Sequence, residues 1–191
     1  MPFYNLKSDI TNIVIGQSRN FLNDFNIYAK GYHHIALTSI NNLLSETTIS
    51  DYKFYPCFFL FRQSLELYLK SIIYNTKALR ILKEINLKIE ALYNNHDLIL
   101  LSNTAVKILN NLFPDQLDDF CNQLLSISKE FDYIDKSSYV FRYPTNLSGK
   151  PATSPLIINA SSFRDSMNTL LDQFENVVWG INIETDIITT S

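Results

Sequence analysis

The segment from residue 51 to residue 74 constrains the fold more than any other part of the chain. Its apolar residues occur on almost every side of a helix, a pattern typical of a helix surrounded by other elements. Pro56 falls in the first turn, where a proline is well tolerated. A chain of 191 residues with 46% hydrophobic content can bury one sizeable core around such a helix.

Amphipathic patterns predict helices along most of the remaining chain, and hence an all-α bundle of about six helices. Between residues 131 and 149 the helical periodicity is lost. Two β-prone runs in and after that segment, residues 138–143 and 156–159, predict a small hairpin. We expect one domain over residues 1–180 and a loosely held tail over 181–191. The other predicted helices span residues 8–25, 28–44, 77–93, 97–112, 115–128 and 163–179.

Composition excludes several classes of function. With four glycines the chain has no glycine-rich phosphate loop, and a net charge of −3 argues against non-specific wrapping of nucleic acid, although a local basic patch stays open. Cys57 and Cys121 both lie in apolar surroundings, so we expect core thiols and not a disulfide. The longest apolar run, residues 54–61, is too short to cross a bilayer, and the N-terminus lacks the apolar core of a secretion signal. These features favour a cytoplasmic protein without a membrane partner.

A polar stripe interrupts the central helix. Arg62, Glu66 and Lys70 follow one another at intervals of one turn, with Gln63 beside them, so all four lie within one narrow arc. If this arc is exposed, each ion pair contributes only about 0.2–0.5 kcal/mol and requires no functional explanation. If it faces other helices, the charges are costly unless they line a groove that binds a phosphate or a carboxylate.

Two further positions are candidates for chemistry. His96 follows two asparagines and precedes Asp97, which we expect near the N-terminus of a helix, where a carboxylate is favoured. The imidazole is either an acid/base group or a group that caps or packs locally. Arg142 lies in the irregular segment between aromatic residues, where it either binds a ligand together with Tyr143 or only forms an ion pair. His33 and His34 are adjacent and point in different directions on a helix, so no metal site is predicted.

The stretch from Pro56 to Lys70, then His96-Asp97-Leu98, then Phe141-Arg142-Tyr143-Pro144, resembles bacterial HEPN-like helical proteins. The resemblance covers about residues 32–144. It implies a helical bundle that commonly forms a homodimer. Many such domains are metal-independent ribonucleases of toxin–antitoxin or antiphage systems, so it also implies RNA as a ligand and an antitoxin as a protein partner.

The sequence departs from that family at its catalytic motif. HEPN ribonucleases carry an Arg followed about four to six residues later by a His, whereas Arg62 is followed at that distance by Glu66, Leu67 and Tyr68. Related proteins often read Arg-His where this chain reads Arg62-Gln63. Two hypotheses therefore stand, neither of which requires a cofactor. In the first, His96 moves a proton while Arg62, Lys70 and Arg142 hold phosphate, with Glu66, Gln63, Asp97 and Tyr143 lining the site. In the second, the polar stripe of the central helix binds RNA, a nucleotide or a protein without catalysis.

Overall fold

The computed structural model describes residues 21–48, 50–84, 92, 94–136 and 138–189. Within these ranges the fold is all-α, as the sequence predicts, and contains six α-helices, one short 3-10 turn and no strand. The buried apolar side chains form one continuous cluster to which every helix contributes. The helices are α1 (Phe21–Leu44), α2 (Phe54–Tyr74), α3 (Thr76–Glu84), α4 (Leu98–Leu112), α5 (Asp118–Asp135) and α6 (Ala160–Thr189).

Helix α2 is the central element, because α1, α3, α4 and α6 all pack against it. Helix α1 runs antiparallel along it: Ser64 donates a hydrogen bond to the Ala29 carbonyl at 2.8 Å, while the earlier α2 residue Phe61 meets the later α1 residue His33. Fifteen of its 21 residues are buried. The apolar residues on almost every side of α2 are thus explained as predicted, because neighbouring helices enclose it.

Aromatic contacts, most of them edge-to-face, join both α2 and α5 to Phe163 of α6, and join α2 to the segment before α6. The Phe163 ring lies 4.5 Å from that of Phe58, 5.5 Å from that of Phe61 and 5.9 Å from that of Phe131, measured between ring centroids. The Phe141 ring lies 5.4 Å from that of Phe58. Aromatic pairs in such geometry are worth about 0.5–1.5 kcal/mol beyond their area burial, so this cluster anchors the chain on both sides of Arg142.

Several helix boundaries differ from those predicted. Residues 8–20 of the first predicted helix lie outside the described residues, and α1 begins at Phe21 and passes without interruption through the predicted break at 26–27. Helix α3 covers the first half of the predicted segment 77–93, of which residues 85–91 and 93 lie outside the described part. Helix α4 begins after Asp97 as predicted. Helix α5 does not end at residue 128 but continues to Asp135, because Phe131 and Asp135 extend its buried face.

The predicted hairpin between residues 138–143 and 156–159 is wrong. The amides of Tyr139 and Val140 donate to the Asp135 carboxylate and not to a partner strand, so the first run folds into turns. The second run ends as a helix start, because Asn159 accepts a hydrogen bond from the amide of Ser162 in the first turn of α6. In the described part of this segment, β-pairing is limited to an isolated bridge between Thr145 and Pro151.

The last helix does not end at Trp179. It passes through Gly180 and continues to Thr189, and Ile181 in this continuation is 1% exposed. A side chain at Gly180 would contact the Phe113 ring, which lies 3.7 Å from the position of a Cβ atom there. The predicted tail thus begins as helix packed on the core. None of the described helices combines the length and apolar character that a bilayer-spanning segment requires.

Candidate functional site

The polar stripe of α2 is buried. Arg62 and Glu66 are each 1% exposed and Lys70 is 6% exposed, whereas Gln63 is half-buried at the edge of the stripe. The interpretation of a solvent-exposed stripe is therefore wrong. Charges removed from water in this way are stable only when each has a counter-charge and hydrogen-bond partners, and the surrounding contacts supply both.

Glu66 is the hub of these contacts. Its Oε1 accepts a hydrogen bond from Lys70 Nζ at 2.9 Å and lies 2.8 Å from His96 Nδ1, while its Oε2 accepts from Arg62 Nη1 at 3.2 Å. Burial by itself raises the pKa of the carboxyl group, but the hydrogen bonds and charges of Lys70 and His96 outweigh that effect. The pKa of Glu66 is lowered overall, and the carboxylate is ionised at neutral pH.

Arg62 connects this carboxylate to two other parts of the chain. Its Nη2 donates a 2.8 Å hydrogen bond to the His96 carbonyl, and its Nε lies 3.7 Å from Asp135 Oδ2, an ion pair too long for a hydrogen bond. Burial lowers the pKa of Arg62, Glu66 and Asp135 raise it, and the nearby charge of Arg142 lowers it again. The positive charge of Arg142 therefore acts electrostatically on the Arg62 guanidinium.

Asp135 is the member of the site that the sequence did not single out. Its side chain is fully buried at the end of α5, and its Oδ1 accepts hydrogen bonds from the amides of Tyr139 at 2.5 Å and Val140 at 2.8 Å. With Asp135 included, the buried network contains two cations and two carboxylates. A helical pattern could have revealed it, because residue 135 continues the buried face of Leu124, Ile127 and Phe131, where a lone aspartate is unusual.

His96 presents its imidazole to solvent. The side chain is 61% exposed, although Nδ1 is held by the buried Glu66 carboxylate. An ionised carboxylate only accepts hydrogen bonds, so Nδ1 must carry the hydrogen and the lone pair of the neutral ring lies on Nε2. A buried carboxylate that fixes a histidine in one tautomer is the arrangement by which a general base is oriented in hydrolases.

Arg142 lies beside the same face of α2. Its guanidinium carbon is 5.7 Å from the centre of the Phe59 ring, one turn before Arg62, and 5.6 Å from the ring of Tyr143. Its Nε donates to the Ser138 carbonyl at 2.5 Å, and within the described part of the chain no carboxylate pairs with it. Within the described residues Arg142 therefore forms a hydrogen bond and aromatic contacts in place of the ion pair that one interpretation expected. The Arg142 side chain is exposed and lies near two aromatic rings, and the Tyr143 ring packs at a tilt against that of Tyr139, with centroids 4.5 Å apart.

The remaining predicted site residues have local roles. Asp97 caps α4, because its Oδ1 accepts a hydrogen bond from the amide of Leu100 at 3.0 Å.

His33 is buried with Nε2 3.1 Å from Asn168 Oδ1, while His34 is exposed. Over the described ranges no three side chains of the metal-ligating types come together. Cys57 and Cys121 are buried free thiols, as predicted.

Comparison of the chain with protein-family models, with curated proteins and with solved structures found no match. A function for this protein therefore has to be inferred from the geometry of the site and from its own sequence motifs.

Proposed function

We propose that the protein is a HEPN-like, RNA-directed protein in which His96 is the base of a metal-independent cleavage of RNA. The observation that supports this proposal is the exposed imidazole whose Nδ1 is fixed by a buried, ionised Glu66. By the resemblance of the sequence, its proposed setting is a toxin–antitoxin or antiphage system, and its proposed assembly is a homodimer.

In this mechanism the neutral His96 Nε2 takes the proton of a ribose 2′-hydroxyl. The 2′-oxygen attacks the adjacent phosphorus, the bond to the 5′-oxygen breaks, and that oxygen leaves as a hydroxyl by taking a proton from water. The hydroxide that remains takes the proton of the His96 imidazolium, which restores the neutral ring. The products are a 2′,3′-cyclic phosphate and a 5′-hydroxyl end. Glu66 stabilises the imidazolium that forms, and Arg142 stabilises the charge on the phosphate.

In this proposal Arg62 and Lys70 have a different role from the phosphate binding that the sequence suggested. Arg62 and Lys70 are buried and directed at Glu66, so they hold the carboxylate in place and do not present free charge to a ligand. The exposed charge of Arg142 is left to bind phosphate, and the exposed Tyr143 beside it offers a face on which a base can stack.

The test is cleavage of a labelled oligoribonucleotide in the presence of EDTA. Because Arg62 contacts the His96 backbone carbonyl, His96→Ala leaves that bond intact and should fold normally. We expect it to lower kcat by about 10²–10⁴-fold, the usual contribution of a general base. The matched control is His34→Ala, which removes another exposed histidine and should retain full activity.

A chemical control separates this reaction from other hydrolysis. The same oligonucleotide with 2′-O-methyl groups should bind but should not be cut, and the RNA product should carry a 2′,3′-cyclic phosphate. Cleavage that persists in His96→Ala protein purified in parallel, or equal cleavage of the 2′-O-methyl strand, would contradict the mechanism.

A non-catalytic binding module is the second candidate. It is favoured because Arg62 and Lys70 are buried against Glu66, while the exposed guanidinium of Arg142 can bind a phosphate without any proton transfer. This candidate predicts RNA binding without turnover. Affinity should fall steeply as salt is raised if phosphates are the ligand, and should lose part of that salt dependence in Arg142→Ala.

A further inference from the structure

The turn that carries Arg142 is attached to the body of the protein at Asp135. Both amides that donate to Asp135 Oδ1 belong to this turn, those of Tyr139 and Val140. The turn then closes on itself, because the amides of Arg142 and Tyr143 both donate to the Tyr139 carbonyl, at 3.1 and 3.0 Å. Arg142 Nε donates to the Ser138 carbonyl, so backbone and side chain of Arg142 are fixed within the same turn.

The other oxygen of Asp135 faces the network that holds His96. Oδ2 lies 3.7 Å from Arg62 Nε, and both atoms are buried without a hydrogen bond in the described structure. Arg62 uses its two terminal nitrogens to hold Glu66 and the His96 carbonyl. One continuous set of buried contacts therefore runs from the exposed imidazole of His96, through Glu66, Arg62 and Asp135, to the exposed guanidinium of Arg142.

We infer that Asp135 is a positioning residue that fixes the Arg142 guanidinium relative to the His96 imidazole. As a statement about RNA cleavage, this inference rests on the proposed function. Asp135 itself is buried and touches no ligand. Its part is to hold the phosphate-binding charge and the base on two separate loops at a constant separation, since a small displacement of a positioned group costs catalysis heavily.

The first test requires no RNA and no variant. In the wild-type protein, the amides of Tyr139 and Val140 should exchange with solvent at least about tenfold more slowly than the same amides in an unfolded chain, as hydrogen-bonded amides do. Exchange at unfolded-chain rates would overturn the inference, because Asp135 would then hold nothing.

The second test follows Arg142 directly by NMR. In Asp135→Ala, the Nε–H signal of Arg142 should move to the position of a free arginine, because the turn that supplies the Ser138 acceptor is released. In Glu130→Gln, a matched loss of one negative charge at an exposed position of the same helix, it should not move. A signal that stays in place in folded Asp135→Ala protein would contradict the inference.

The third test is a double-mutant cycle on the binding of a labelled 2′-O-methyl oligoribonucleotide. Arg142→Ala should weaken binding about tenfold, the loss expected for one hydrogen bond to a charged group. Asp135→Ala should weaken it by a similar factor, and adding Asp135→Ala to Arg142→Ala should change it by less than about twofold, because both act through one guanidinium. Losses that multiply would show that Asp135 acts elsewhere.

These arms separate the inference from the proposed function. If the exchange and NMR results are as expected but no RNA binds or is cut, the proposed function fails while Asp135 remains the residue that positions Arg142. If RNA is cut but the Arg142 signal is indifferent to Asp135, the inference fails and the proposed function stands.

Discussion

Replacing Glu66 by Gln tests whether the buried charges of this site are held by their mutual neutralisation. The substitution keeps the shape of the side chain and removes the negative charge between Arg62 and Lys70. In the wild-type protein two cations face two carboxylates, Glu66 and Asp135. The variant leaves two cations with one carboxylate, and within the described structure Lys70 keeps no anionic partner.

The expected cost is large. Removing one partner of a buried ion pair typically costs about 3–5 kcal/mol, because an uncompensated charge remains out of water. A domain of this size is stable by roughly 5–15 kcal/mol. Glu66→Gln should therefore lose a substantial fraction of the free energy of unfolding, measured by urea denaturation at neutral pH and followed by circular dichroism, with an unchanged m-value.

A second substitution isolates the physical cause. Adding Lys70→Met to Glu66→Gln removes the stranded cation and leaves Arg62 balanced by Asp135. The double variant should recover about half or more of the loss, roughly 2 kcal/mol. The control is Glu175→Gln, which removes one partner of the exposed Lys30–Glu175 pair and should cost less than about 1 kcal/mol. A double variant less stable than Glu66→Gln alone would refute the charge-balance argument.

Individual contacts give three further predictions. The pKa of Glu66 is lowered from its ordinary value of 4.5, so its contribution to stability should be complete above that pH and disappear as the pH falls further; urea titrations at several pH values should show this loss in the wild type and not in Glu66→Gln. Asp97→Ala should lower the free energy of unfolding by about 1 kcal/mol in urea denaturation, because the α4 cap is lost. Tyr68→Phe should leave stability equal or raise it by about 1 kcal/mol in thermal denaturation, because the buried hydroxyl has no hydrogen-bond partner in the described structure.

Local pattern determined much of the fold. The all-round apolar surface of α2 required enclosing helices, and Asp97 marked the start of α4 because the preference of a helix N-terminus for a carboxylate depends on a few neighbouring residues. The wrong prediction of a hairpin also arose because it used only local side-chain preferences. Residues 138–143 have β-prone side chains, but the Asp135 carboxylate competes for their amides, and a strand also needs a partner that side-chain preference cannot supply.

The candidate site was likewise predicted in part from local sequence and decided in part by tertiary contacts. Helix geometry alone placed Arg62, Glu66 and Lys70 on one arc of α2, because residues four apart in a helix lie above one another. It did not decide whether that arc faces water, since the answer depends on where the tertiary structure places His96 and Asp135 relative to α2. Only the tertiary structure shows Asp135 facing Arg62 and the His96 imidazole held by Glu66, because those contacts join residues far apart in the chain.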